Sequence, residues 1–339
     1  MKKNVLNLNI NSLQMENTGA AGMENFNKKM TESDKKRNVN ASSIWCIGGG
    51  KGGIGKSFIS SNLGTLLSMQ SKRVLLVDAD FGAANLHTFI ECRQRMYSFS
   101  KFLKREGSNI RDVICKTSFD NVDLLSGAND VLDVADIKEG AMRRLIRELR
   151  NLDYDYILID VGPGTSSHML DLFLMSDQAL LISTPEPTSI ENTYRFLKAL
   201  CLRQIKQLVS SGKDDELKGA LCAALGMTGN SKAKTIIEIF ERLTTLDNGR
   251  GKYLDAVIGE MDFSLIINQT KNKADENIGL QMKQACCDYF SIEMNYLGHI
   301  KYNETVGDSL RKRMSLVKDF SKSEPALLMK ACLKKMHDK

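Results

Sequence analysis

The sequence predicts an α/β fold of three layers, a doubly wound, mainly parallel sheet with helices on both faces. Three observations predict it. A glycine-rich run, Gly48-Gly49-Gly50-Lys51-Gly52-Gly53-Ile54-Gly55-Lys56-Ser57, joins a short apolar segment to a stretch of helical periodicity. Further apolar runs alternate with helical ones, and most are continuously apolar, as strands buried on both faces must be. Several of these runs end in aspartate, at the edge where open parallel sheets gather their ligands.

The elements follow in order. Residues 1–40 hold nine asparagines, scattered lysines and one aromatic, Phe26. That is too little apolar surface to offset ordering entropy, so an extension without fixed structure is expected. Leu6, Leu8 and Ile10 alternate with Asn, a pattern that would also suit a strand added to a partner's edge. One domain is expected over 41–339. Ser43-Ile44-Trp45-Cys46-Ile47 reads as a buried strand, and Phe58, Ile59, Leu63, Leu66, Leu67 and Met69 space a helix. Strands follow at Arg73 to Val77, ending in Asp78-Ala79-Asp80, and at Val122 to Gly127. A basic helix covers 139–151, and Tyr154 to Ile159 forms a strand ending at Asp160. Gln178 to Ser183 is the next, followed by Thr184-Pro185-Glu186-Pro187 and a helix from about Ser189. Met261 to Asn268 and Met294 to Ile300 supply two more strands. The stretch from about 210 to 260 has turns and helical segments but no strand pattern, and reads as a helical insertion.

Bulk properties exclude little. The chain has 339 residues and a net charge of +6 with both signs interspersed, which describes a solvated surface better than a dedicated polyanion site. Eight cysteines without a C-x-x-C pair suit a reduced core in the cytoplasm. No run reaches the length of a membrane-spanning helix.

From Gly50 the glycine run fits G-x-x-x-x-G-K-[ST]. This spacing makes a loop whose backbone N–H groups cradle phosphates, and glycine keeps side chains out of their way. Gly50, Lys51, Gly52, Gly53, Ile54, Gly55, Lys56, Ser57 and Phe58 are therefore the candidate nucleotide-binding residues. Lys56 would reach the β- and γ-phosphates and Ser57 would hold Mg²⁺. The following helix would aim its positive end at the same anion. Asp160, at the end of an apolar strand, has the form of a metal-supporting Walker B aspartate, with Asp78 beside it as a second candidate. Gly162-Pro163-Gly164 would form a turn able to sense the γ-phosphate. Asp80 is the candidate to orient the attacking water.

Lys51 is not required by an ordinary phosphate loop. Lys-Gly-Gly-x-Gly-Lys-[Ser/Thr] resembles the deviant Walker A of the MinD/ParA family, the signature-lysine ATPases. Val77 to Leu86, Asp160 to Gly164 and Thr184 to Ile190 are similar to its later blocks, so that the likeness covers about 43–335. Glu186 to Asn192 and Leu297 to Val306, with Arg311-Lys312-Arg313 beyond, most resemble FlhG/FleN-like regulators of flagellar number and placement. The resemblance implies a P-loop NTPase fold and a slow, Mg²⁺-dependent ATPase. It also implies an ATP-dependent homodimer, with Lys51 crossing to the partner copy's phosphates. Catalytic roles fall to Lys51, Lys56 and Asp80, adenine recognition to Asn268, and a dimer or ribose contact to Glu186. It further implies a cytoplasmic protein recruited to the cell pole or inner membrane face through a flagellar regulator or assembly factor.

A DNA-partitioning ParA-like ATPase, with non-specific DNA contacts through Arg311-Lys312-Arg313 and the arginines of 143–150, and a MinD-like division-site regulator are the alternatives. An Fe–S scaffold of this fold would need a C-x-x-C, which adjacent Cys286 and Cys287 do not make. Lys301 and Asn303 stand where the family usually has Pro and often Asp, and residues 1–40 contain no Asp-Gln-Ala block. The apolar stripe Leu328, Cys332, Leu333 and Met336 of the last helix is expected to pack in the core rather than against lipid.

Overall fold

The computed structural model describes residues 42–80, 84–90, 102–103, 109–126, 139–211 and 257–338, with scattered positions between 219 and 245. The extension at 1–40 and nearly all of the insertion expected at 210–260 lie outside the described residues.

Eight strands make one sheet: β1 Ser43–Gly48, β2 Val74–Ala79, β3 Cys115–Lys116, β4 Val122–Ser126, β5 Tyr156–Val161, β6 Gln178–Ser183, β7 Phe263–Thr270 and β8 Met294–Lys301. Their order is β3-β4-β2-β5-β1-β6-β7-β8. Every pairing is parallel except that of β3 with β4. The central strands are apolar on both faces because helices cover both. Ile44, Cys46 and Ile159 point into one core, which is closed by α2 (Glu139–Arg150), α3 (Ser167–Met175), α4 (Pro187–Ser211) and α5 (Lys273–Phe290). Trp45, Ile47 and Leu158 point into the other, against α1 (Lys56–Met69), α7 (Leu316–Asp319) and α8 (Glu324–His337). Between β8 and α7 lies α6, Glu304–Arg311.

Some boundaries differ from the sequence reading. β7 starts at Phe263, two residues after Met261, and runs on to Thr270. α4 begins at Pro187, since proline sits well in a first helical turn where its missing N–H is not needed. Its entry is set by buried hydroxyls: the Thr184 backbone N–H donates to Ser189 Oγ at 3.0 Å, and Thr193 Oγ1 donates to Ser183 Oγ at 3.1 Å. The terminal stripe lies in the core, with Cys332, Leu333 and Met336 buried and Leu328 half-buried. No described helix is long and apolar enough to cross a membrane.

For the site, register is what matters. Asp78 of β2 lies level with Asp160 of β5, and Ile47 of β1 lies level with Asp160 on its other side. The crossovers therefore bring the β1 loop, two aspartates and the turn after β5 to one edge of the sheet.

Candidate nucleotide site

The loop after β1 is held in place by close backbone packing. A Cβ at Gly50 would collide with the Asn192 carbonyl of α4. Gly55, at φ +92°, has the left-handed backbone that favours glycine, and a Cβ there would strike the Asn268 amide. That amide donates to the Ile54 carbonyl at 2.9 Å, tying β7 to the loop. Asn268, assigned to adenine by resemblance, thus also braces the phosphate loop. The side chains of Ile54 and Phe58 are buried in the core, so these two residues offer a phosphate only their backbone.

Lys56 is buried and lies inside the loop, its Nζ donating to the Lys51 carbonyl at 3.0 Å. Burial lowers its pKa, while the charges of Asp160 and Asp80 act in the opposite sense. Ser57 hydrogen-bonds to the Asp160 carboxylate, and Ser60, one helical turn further along α1, donates to the same carboxylate at 3.2 Å. Ser60 was not singled out from the sequence, although its i+3 spacing from Ser57 is the signal that finds it.

The acids divide their work. Burial pushes Asp160 up to about 6, against the opposing pull of Ser57, Lys56 and Ser60. Asp78 is pushed up to about 7 by burial and by the neighbouring Asp160. The Asp78 oxygens accept backbone N–H groups from Leu86 at 2.9 Å and Asp80 at 3.3 Å, so this residue holds the turn after β2. Asp80 packs on the following turn: a Cβ at Gly162 would sit 2.7 Å from Asp80 Oδ1. Pro163 in turn faces Gly52 of the loop. Asp80 thus lies against the turn after β5, and that turn lies beside the loop after β1. The hydroxyl of Ser57 and the carboxylate of Asp160 form a hard-oxygen donor set that suits Mg²⁺, with Asp78 level with Asp160 on the neighbouring strand.

A pH dependence follows. The unfolded chain releases these two protons near pH 4, whereas the fold keeps them to about 6 and 7. Between those limits the folded state binds more protons, so stability is expected to fall as pH rises from 4 to 7. For Asp160 the loss is on the order of 3 kcal/mol. Thermal melting from pH 4.5 to 7.5 checks it, and a slope unchanged in Asp160→Asn would remove the assignment.

Lys51 does not join this cluster. Its Nζ lies 2.6 Å from Glu186 Oε2, just before α4, and 3.1 Å from Thr188 Oγ1, in the first turn of α4. Lys51 holds the Glu186 carboxyl below its usual range. Both side chains are open to solvent, so the pair contributes little stability. Two lysines five residues apart thus face different places, one inward to the loop and one outward across the sheet's carboxyl edge.

Residues 42–211 match the sequence pattern of the family described as "AAA domain", half of the chain. The chain belongs to this family. The relatives it matches in sequence are MinD proteins. The chain is 28% identical over 155 residues to the septum site-determining protein MinD of Bacillus subtilis, covering 45% of this chain and 58% of that one. It is 32% identical over 171 residues to a putative MinD of Guillardia theta, covering 49% and 63%. The match spans about three fifths of these relatives' length. Among solved structures, the Aquifex aeolicus MinD cell division protein superposes with a TM-score of 0.55 at 19% identity, covering 88% of this chain and 98% of that one. A ParA family ATPase from Chlorobium tepidum gives 0.55 at 15%, covering 86% and 99%. At such identities the likeness concerns the fold, a family sheet with helices on both faces.

Proposed function

We propose that this chain is an ATP-dependent dimerising switch with slow, Mg²⁺-dependent ATPase activity that positions a cellular structure or sets its number. The observation that carries the reading is the outward placement of Lys51, apart from Lys56, beside Glu186 and Thr188. In this reading Lys56 and Ser57 hold the nucleotide phosphates within one copy, and Asp160 supports the metal. When bound, Mg²⁺ neutralises charge on the phosphate oxygens. Asp80 orients the water that attacks the γ-phosphorus as the bond to the β–γ bridging oxygen breaks. Lys51 leaves Glu186 and reaches the other copy's phosphates, acting as an arginine finger does in related chemistry. Glu186, once released, faces the joining copy.

Relatives named for septum-site determination and for plasmid partition support positioning as the output. A structure of MinD with MinC, and one of a McdA variant with ATP, make a protein partner and ATP natural expectations here. Within that class we favour a flagellar structure, on the Glu186 to Asn192 and Leu297 to Val306 blocks. Flagellar genes beside this one would support that choice, whereas a partition-site binding protein gene would favour the DNA-segregating alternative.

The test is a single substitution. Lys51→Ala is expected to keep nucleotide affinity within about threefold while turnover falls by at least about tenfold and ATP-dependent dimers disappear. Titration with a fluorescent ATP analogue and light scattering report the two properties separately. Loss of monomer affinity equal to that of Lys56→Ala would mean that Lys51 serves its own phosphates.

A further inference from the structure

Where β6 meets α4, three buried hydroxyls satisfy one another and a fourth does not. Ser183 Oγ lies 3.1 Å from Ser189 Oγ, and Thr193 Oγ1 donates to Ser183 Oγ at 3.1 Å and to the Ser189 carbonyl at 2.9 Å. Thr184 gives this cluster only its main chain: its N–H donates to Ser189 Oγ at 3.0 Å, and its carbonyl accepts from Ser183 Oγ at 3.4 Å. The Thr184 side chain is 3% exposed, and its Oγ1 is buried with no hydrogen-bond partner among the described residues. A hydroxyl taken from water without a partner is destabilising, so its presence calls for a use.

Strand alternation says which way this hydroxyl faces. Ile182 packs in the core that holds Ile54 of the phosphate loop, and Ser183 faces α4, which returns Thr184 to the Ile54 side. The register agrees. Ser183 is level with Ile267 of β7, and Thr184 follows Ser183 as Asn268 follows Ile267. The Asn268 amide already donates to the Ile54 carbonyl at 2.9 Å. On the other side Gly48 is level with Leu181, which carries the loop alongside the end of β6. A Cβ at Gly49 would sit 2.4 Å from the Ile182 carbonyl.

We propose that Thr184 is a positioning residue of the phosphate loop, its hydroxyl donating to a backbone carbonyl between Gly49 and Ile54 as the loop closes on phosphate. A loop that aims its N–H groups inward at an anion turns carbonyls outward, and each of those needs a donor. Asn268 supplies one from β7, and Thr184 supplies another from β6. The hydroxyl is thus unsatisfied until the loop closes, which transfers its stabilisation to the nucleotide-bound form. The inference rests on the reading that this loop holds a nucleotide, and it names a group outside the loop that tunes how tightly.

Thr184→Val tests it, because valine keeps the branched shape and removes only the hydroxyl. Without nucleotide the variant should melt about 2–6 °C higher than the unchanged chain, since a buried unpaired group is gone. Its affinity for ATP, ADP and inorganic tripolyphosphate should each fall about threefold to tenfold, by isothermal titration, while turnover at saturating ATP stays within about twofold. Thr184→Ser should restore the affinity. A hydroxyl with a purely structural role would not move melting and affinity in opposite senses. Unchanged affinity, a lower melting temperature, or no rescue by serine would overturn the proposal. So would a loss seen with ATP but not with tripolyphosphate, which would place the hydroxyl at the sugar rather than the loop. Failure of the underlying reading shows differently, as an unchanged chain that binds neither ATP nor ADP, and it would take this inference with it.

Discussion

Lys56→Ala is expected to abolish tight ATP binding, with a loss of at least about a hundredfold in affinity. The physical reason lies in where the ammonium sits. Lys56 is buried inside the loop with its Nζ on the Lys51 carbonyl, and burial has already removed much of its hydration. A phosphate entering the loop meets a cation whose desolvation the fold has largely met, in surroundings where charge is weakly screened. Alanine leaves the inward N–H groups of the loop but removes the fixed positive charge at their centre. It also leaves Asp160 and Asp80 without the cation that offsets them, so the site becomes repulsive to a polyanion. Isothermal titration with ATP and Mg²⁺ measures the change. Affinity held within about threefold would mean that the loop amides and metal carry binding alone, and the role of Lys56 would be withdrawn.

The loop and its aspartates were legible in the sequence because each is fixed by local chemistry. Gly55 has φ +92° and no room for a Cβ, and Asp160 ends a strand that must be apolar on both faces. Pairings made over long sequence separations were not legible. Lys51 meets Glu186 135 residues away, and nothing in either local pattern announces it. Asp78 reads as a metal ligand from its place after a strand, yet its oxygens are taken up by the N–H groups of Leu86 and Asp80, a role set by the path of the turn. β3 escaped notice because two residues, Cys115 and Lys116, are too few to show a period. α5 and α6 were passed over for another reason. Few of their residues are buried, Gly279, Met282, Cys286 and Phe290 in α5 and only Ser309 in α6, and Leu280, Tyr289 and Leu310 lie exposed, which blurs the helical period.

Asp80→Ala is expected to bind ATP nearly as well as the unchanged chain but to hydrolyse it at least about a hundredfold more slowly. Asp80 lies against Gly162 rather than inside the loop, so its loss does not open the phosphate cradle formed by Gly50 to Ser57. Ground-state binding should even gain slightly, since one negative charge near Lys56 disappears. What is lost is a carboxylate in contact with the turn after β5, and with it, in the proposed function, the means to orient a water for attack. In a switch that dimerises around ATP and separates after hydrolysis, blocked hydrolysis traps the closed state. The variant should therefore accumulate as an ATP-dependent dimer at concentrations where the unchanged chain cycles back to monomer. Size-exclusion chromatography with light scattering, run with ATP and then with ADP, reads the population directly, and phosphate release reads the rate. A monomer in ATP at every concentration would remove the dimer from the proposal. Unimpaired phosphate release would move the water-handling role from Asp80 to another group at the same edge of the sheet.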